Sequence, residues 1–165
     1  IGFSTHATTD IIIKTIESGE FDYINLHWYF VNDLNWPAVK VAAERDMGVF
    51  IISPNDKGGK LYAPPPKLKK LCSPLHPMQF NDLYCLNRPQ VHTLSCGAAK
   101  PSDFDKHIAA LEHYDNIAGT ISPIKRALQS EMETVLGSDW CSRLRWCWPI
   151  FLDSDWLTLR PDARF

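Results

Sequence analysis

The stretch GVFIISPNDKGG, residues 48–59, decides the fold. Val49, Phe50, Ile51 and Ile52 form a continuous apolar run of β-favouring side chains without polar alternation, the pattern of a strand covered on both faces in a parallel sheet. The run closes on Ser53-Pro54. A loop then reads over residues 55–70, holding Gly58-Gly59 and Pro64-Pro65-Pro66. It is longer than the usual connection of about 4 to 6 residues, and loops of such length are usually functional or mobile.

The units on either side repeat the same grammar. Upstream, residues 1–3 are apolar, residues 4–9 small and polar, and Ile11, Ile12 and Ile16 recur at helical spacing up to the stop at Ser18-Gly19. Residues 21–28 read as a second strand, 32–35 as a polar loop, and 36–47 as a helix with Pro37 in its first turn. Downstream, a helix over 75–87 leads through Arg88-Pro89 into a strand over 91–96. Ser102 and Asp105 then make a capping box for a helix reaching His113. Four alternating strand–helix units imply parallel strands with right-handed crossovers.

Two architectures use that alternation. No GxGxxG follows the first strand, which removes the glycines that let a dinucleotide's pyrophosphate approach an open doubly wound sheet. Polar and glycine residues directly follow the last two strands, as SPNDKGG and CGAAKPS, where closed barrels often bind phosphate. A whole barrel needs about 250 residues. The expected fold is therefore α/β, half of a (β/α)8 TIM barrel, with residues 1–118 forming four parallel βα units. Residues 119–165 form a helical C-terminal extension and an irregular Trp-rich tail.

Composition narrows the function. Seventeen Lys+Arg against 19 Asp+Glu give a net charge of -2, with no block of five or more like charges, which argues against a basic-patch nucleic-acid binder. No apolar run approaches the roughly 18 residues that span a bilayer, and the first residues lack the basic start and cleavage site of an export signal. The five cysteines include no CxxC pair, which suits a reducing cytoplasm better than a secreted disulfide framework. The expectation is a cytoplasmic protein with no membrane or nucleic-acid partner. The chain begins with Ile1 rather than Met, a hint of missing upstream sequence.

Four segments together carry a family resemblance: GFSTH after the first strand, FDYINLHWYF as the second, ISPNDKGGKL after the third, and RPQVHTLSCGAAKPSDFDKHI around the fourth. In order and spacing, over roughly residues 1–115, the chain resembles the second half of an aldo/keto reductase barrel. The GGKL ending is most similar to a diverged branch with an appended ferredoxin-like region. The resemblance implies hydride transfer between NADPH (or NADH) and a small-molecule carbonyl. The family's catalytic Asp, Tyr, Lys and His sit on the first four strands, so none is expected here. Neither Tyr23, Tyr29 nor Tyr62 is a candidate proton donor, and the chain alone is expected to be inactive.

What the resemblance assigns to this half is cofactor binding. Ser4 with Thr5 resembles the serine-asparagine pair that bonds the nicotinamide carboxamide, and Asn25 stands where the family uses glutamine for the same group. Ile52 replaces a tyrosine that stacks on the nicotinamide ring in many members. Ser53-Pro54 matches a turn whose amides face the pyrophosphate, with Lys57, Gly58 and Gly59 beside it. Gly97, Ala98, Ala99 and Lys100 correspond to the last phosphate loop, Lys100 pairing with an adenosine phosphate. Lys106 and His107 replace an acidic residue and an asparagine used against adenine, which leaves NADP versus NAD open. The alternative reading is a non-catalytic half-barrel that binds a nucleotide or phosphate or acts in assembly; an isomerase or aldolase barrel is a third.

Other constellations carry less. His6 and His27 end adjacent strands but find no third ligand in register. Cys141 and Cys147 are two thiols where an iron-sulfur cluster needs about four, so no cluster is expected. Cys72, Cys85 and Cys96 read as isolated and buried. Four tryptophans, Trp140, Trp146, Trp148 and Trp156, crowd a tail without periodicity, read as a departure from the family's natural continuation. Ile124, Leu128, Met132 and Val135 predict a connecting helix outside the barrel, over 121–136. A half-barrel exposes two strand edges, through which it is expected to self-associate or to pair with the missing half.

Overall fold

The computed structural model describes residues 1–55 and 57–137. Four strands, β1 (Gly2–Ser4), β2 (Tyr23–Leu26), β3 (Gly48–Ile52) and β4 (Thr93–Ser95), form one sheet in the order of the chain, β1-β2-β3-β4. All three pairings are parallel. The chain is thus α/β with a parallel sheet, as the alternating units imply.

Register divides the sheet into two faces. Phe3, Ile24, Val49 and Ile51, with Leu26 and Leu94, share one face, and Ile24, Leu26, Val49 and Ile51 are wholly buried there. The helices pack on this side. Residues of α1 (Thr9–Glu17) bring Ile12 and Ile16 one turn apart, and α2 (Trp36–Glu44) brings Ala38, Val39 and Ala42 into the same core. The opposite face carries Gly2, Ser4, Tyr23, Asn25, Gly48, Phe50, Ile52, Thr93 and Ser95, none of them buried. Tyr23 stacks on Phe50 at 5.1 Å and lies flat over Gly2, where an added Cβ would sit 2.2 Å from its ring. Continuous hydrophobicity in β3 therefore does not mean helices on both sides: Phe50 and Ile52 face a side that the described residues leave uncovered.

The long segment after β3 departs from expectation. Read as a loop over 55–70, it contains a 3-10 helix, Lys57–Tyr62, and α3 (Pro66–Cys72). Pro66 opens α3 at a position whose N–H would have no partner in any case, while Leu68 and Cys72, one turn apart, enter the core. Next come α4 (Pro77–Leu86), a 3-10 turn at Pro101–Phe104, α5 (Asp105–Ala110), a second 3-10 stretch at Leu111–Asn116, and α6 (Ile117–Leu136). The last helix starts earlier than its periodicity suggested and inserts Ile117, Ile121, Ile124, Leu128 and Met132 into the shared core, packing on α3 and α4. Among the described residues no helix is long and apolar enough to cross a membrane. The Trp-rich tail, with Cys141 and Cys147, lies outside the described residues.

Candidate functional site

Because the sheet is parallel, the C-terminal ends of all four strands open on one edge, and α4 organises that edge. Two adjacent polar residues interrupt its apolar sequence, and both are buried: Asn81 at 4 % exposure and Asp82 at 2 %. Asn81 Nδ2 donates to the Pro54 carbonyl at 2.5 Å, and its Oδ1 accepts from the Phe30 N–H at 3.3 Å. One amide thus ties the turn after β3 to the segment after β2. A backbone carbonyl and N–H that would otherwise lack partners are satisfied.

Asp82 does the same for the turn after β4. Its Oδ2 lies 2.5 Å from Nδ1 of His107 on α5, and Cys96 Sγ approaches the same nitrogen at 3.6 Å. On the other side of the ring, Nε2 meets Asn55 Nδ2 at 3.1 Å, and that amide also reaches the Tyr62 hydroxyl at 3.2 Å and the Gly97 carbonyl at 3.4 Å. Tyr62 donates its hydroxyl to the same carbonyl at 2.5 Å. Six residues from the ends of β3 and β4, α4, α5 and the 3-10 helix therefore form one polar knot. Burial by itself would lower the His107 pKa, but the Asp82 hydrogen bond, reinforced by Cys96, raises it to about 10. Burial raises the Asp82 carboxyl, against the pull of His107. Both directions describe one proton held between the two groups. We assign it to His107 Nδ1, facing Asp82 Oδ2; the imidazolium's Nε2–H is then satisfied when the Asn55 amide turns its otherwise unpartnered Oδ1 towards the ring.

The residues expected to bind cofactor fall along this edge with different commitments. Ser4 is exposed at the end of β1 and pairs in register with Asn25 on the uncovered face. Thr5 is spent locally: its Oγ1 accepts from the Ala7 N–H at 3.0 Å and holds its own turn. Ser53 adopts the left-handed conformation, φ 55°, which turns the chain sharply out of β3. Pro54 is buried with its carbonyl held by Asn81. Gly58 and Gly59 lie within the 3-10 helix Lys57–Tyr62, and Gly59 has φ 69° with the Tyr62 ring 2.9 Å from where a Cβ would stand. Gly97, Ala98 and Lys100 are exposed. In the last loop the amides of Ala99 and Lys100 already donate to Asp103 Oδ2, at 2.9 and 3.1 Å. A carboxylate of the chain occupies these N–H groups in the manner of a bound anion.

His6 and His27 stack, ring centroids 4.8 Å apart, which presents ring faces rather than nitrogens to each other. Cys72 and Cys85 are buried as expected, and burial raises the pKa of Cys72 to about 12. Cys96 is neither isolated nor fully buried, since it sits against His107. Among the described residues, Asp82, Cys96 and His107 are the group of metal-ligating type, with ligand atoms all within 4.8 Å of one another. Reading the sequence by spacing missed this cluster, because its members come from three separate elements. The one local signal is the polar pair Asn81-Asp82 inside an apolar helix. Compared with known protein families, with curated proteins and with solved structures, the chain matches none.

Proposed function

We propose that the chain is the later half of a (β/α)8 barrel of aldo/keto reductase type. In this reading it cradles a nicotinamide dinucleotide, NADPH or NADH, at the C-terminal edge of its sheet. It supplies that seat, without proton-transfer residues, to a cytoplasmic oxidoreductase acting on a small carbonyl compound. The observation that carries the reading is the direct pairing of Ser4 with Asn25 on the uncovered face. A hydroxyl beside an amide offers the donors and acceptors that a carboxamide needs. Strand order supports the barrel: the strands run β1-β2-β3-β4 without the reversal that marks a doubly wound sheet. Since Asp103 takes the Ala99 and Lys100 amides, the phosphate contacts in this reading fall to the Lys100 ammonium and the Ser53-Pro54 turn.

A second reading, a non-catalytic nucleotide- or phosphate-binding module, is favoured by Thr5. Its Oγ1 accepts from the Ala7 N–H at 3.0 Å and is held by its own turn, which weakens the nicotinamide end of the seat and leaves the phosphate end unaffected.

Fluorescence titration of the full chain with NADPH and with 2′,5′-ADP tests both. The reductase-type seat predicts saturable NADPH binding that Ser4→Ala weakens while leaving 2′,5′-ADP affinity unchanged. Lys100→Ala should weaken both about tenfold, the loss of one charge-assisted contact worth about 1.4 kcal/mol. Equal affinity for both ligands, insensitive to Ser4→Ala, favours the phosphate module. No binding of either at about 1 mM, a contribution below about 4 kcal/mol, overturns both.

A further inference from the structure

We propose that Asp82, Cys96 and His107 form a binding site for a single zinc-class divalent ion. The inference stands on this cluster's own geometry and is independent of the dinucleotide reading.

A thiolate, an imidazole and a carboxylate make a mixed sulfur, nitrogen and oxygen donor set, which suits Zn²⁺ and its analogue Co²⁺ and is foreign to Mg²⁺ and Ca²⁺, whose ligands are oxygens. The distances fit. A tetrahedral Zn²⁺ with a Zn–S bond of about 2.3 Å and a Zn–N bond of about 2.05 Å holds its sulfur and nitrogen ligands roughly 3.6 Å apart. Cys96 Sγ and His107 Nδ1 are 3.6 Å apart. The same geometry needs roughly 3.3 Å between nitrogen and carboxylate oxygen. Asp82 Oδ2 and His107 Nδ1, at 2.5 Å, need only separate by the difference when a metal replaces the proton between them. On binding, the protons of the His107 imidazolium and of the Cys96 thiol leave to buffer, and no other bond changes.

A second observation points to a ligand. Asp82 Oδ1 is buried and makes no hydrogen bond, on a residue only 2 % exposed. A carboxylate in the interior normally has both oxygens satisfied, because an unpartnered buried acceptor has lost its water without gaining a protein partner. A cation at the cluster would compensate that oxygen by charge or by bidentate coordination. With three protein ligands and Cys96 and His107 only partly buried, the fourth position is left for water or a small ligand.

Cobalt substitution of the full chain tests the site. The background is a Cys141→Ser, Cys147→Ser variant, so that the remaining cysteines besides Cys96 are the buried Cys72 and Cys85. After chelator treatment under reducing conditions, one equivalent of Co²⁺ should give the intense visible bands of four-coordinate cobalt with a thiolate-to-cobalt charge-transfer band, and Zn²⁺ should displace both. Adding Cys96→Ser should abolish the charge-transfer band and weaken Co²⁺ binding by more than about 100-fold, beyond the roughly 10- to 100-fold cost of losing a group that only orients a ligand. Since Cys96 is partly exposed, that variant should keep the parent's circular dichroism. The double variant Asp82→Asn, His107→Gln, which leaves no unpaired charge in the interior, should lose the bands as well. Absence of a charge-transfer band at about 1 mM Co²⁺ in a folded chain overturns the proposal, as does a band that survives Cys96→Ser.

Discussion

At the N-terminus of α4 the His76 imidazole fills a place usually held by serine or aspartate. Its Nδ1 accepts from the Met78 N–H at 3.2 Å, while Gln79 Oε1 accepts from the His76 N–H at 2.8 Å, a reciprocal cap. Such a cap works only with Nδ1 unprotonated, since a protonated nitrogen would face the Met78 N–H as a second donor. The surroundings enforce that state: burial, then the positive charges of Lys106 and Lys69, lower the His76 pKa to about 4 from an ordinary 6.5. The folded pKa is below the unfolded one, so this contribution to stability is complete above about pH 6.5 and is lost as pH falls towards 4. Urea midpoints should therefore drop less between pH 7 and pH 5 in His76→Asn, which keeps a capping acceptor but does not titrate, than in the parent chain; equal drops would refute the role. Sequence shows His76 three residues before Gln79, yet histidine is so rarely read as a cap that the signal is lost. Asp82, Cys96 and His107 were illegible for a different reason, since no local spacing relates them and only the packing of α4 on α5 and the end of β4 makes them neighbours.

Elements defined by periodicity were the legible ones. All four strands and the cores of α1, α2 and α4 follow from apolar runs and stop signals, because burial on one face imposes a repeat that a single sequence displays. Segment 57–72 was not legible, because its three prolines read as breakers although Pro66 serves as a helix start. Nor does any periodicity announce that α4 is a strut. Its polar contacts, Asn81 to the segments after β2 and β3 and Asp82 to α5, fix the loops on which a ligand would rest. Asn81→Ala strands the buried Pro54 carbonyl and frees the Phe30 N–H, at an expected cost of about 2 to 4 kcal/mol. Chemical denaturation measures that loss. If the strut also positions the edge, NADPH affinity should fall in the same variant under conditions where it remains folded. A stability loss without any change in affinity would confine Asn81 to a role in folding.

At the scale of the molecule, what stands out is how much apolar surface lies exposed in the units that end the sheet. β1 and β4 are edge strands in the described sheet. In the segment that follows β4, Phe104, Ile108, Leu111 and Tyr114 are 43, 62, 53 and 57 % exposed at roughly helical intervals; in the helix that follows β1, Ile11 is 55 % exposed. An edge strand with unpaired backbone groups and apolar flanks is a template for further pairing. Parallel order makes one solution geometrically economical. Placing β4 of one copy against β1 of another continues the sheet in the same sense, and a twofold axis then pairs the other two edges. Two four-stranded sheets joined so would supply eight parallel strands, the number a closed barrel needs, and would enclose the face bearing Tyr23, Phe50 and Ile52. The expected species in size-exclusion chromatography with light scattering is therefore twice the 18.8 kDa of one chain. Ile108→Lys with Leu111→Lys puts two charges on the segment that follows β4 without touching the core, and should shift the population to monomer while leaving helical circular dichroism unchanged. A parent chain that stays monomeric at about 100 μM, a concentration that populates any association stronger than about 5 kcal/mol, would mean that these edges are closed by something other than a second copy.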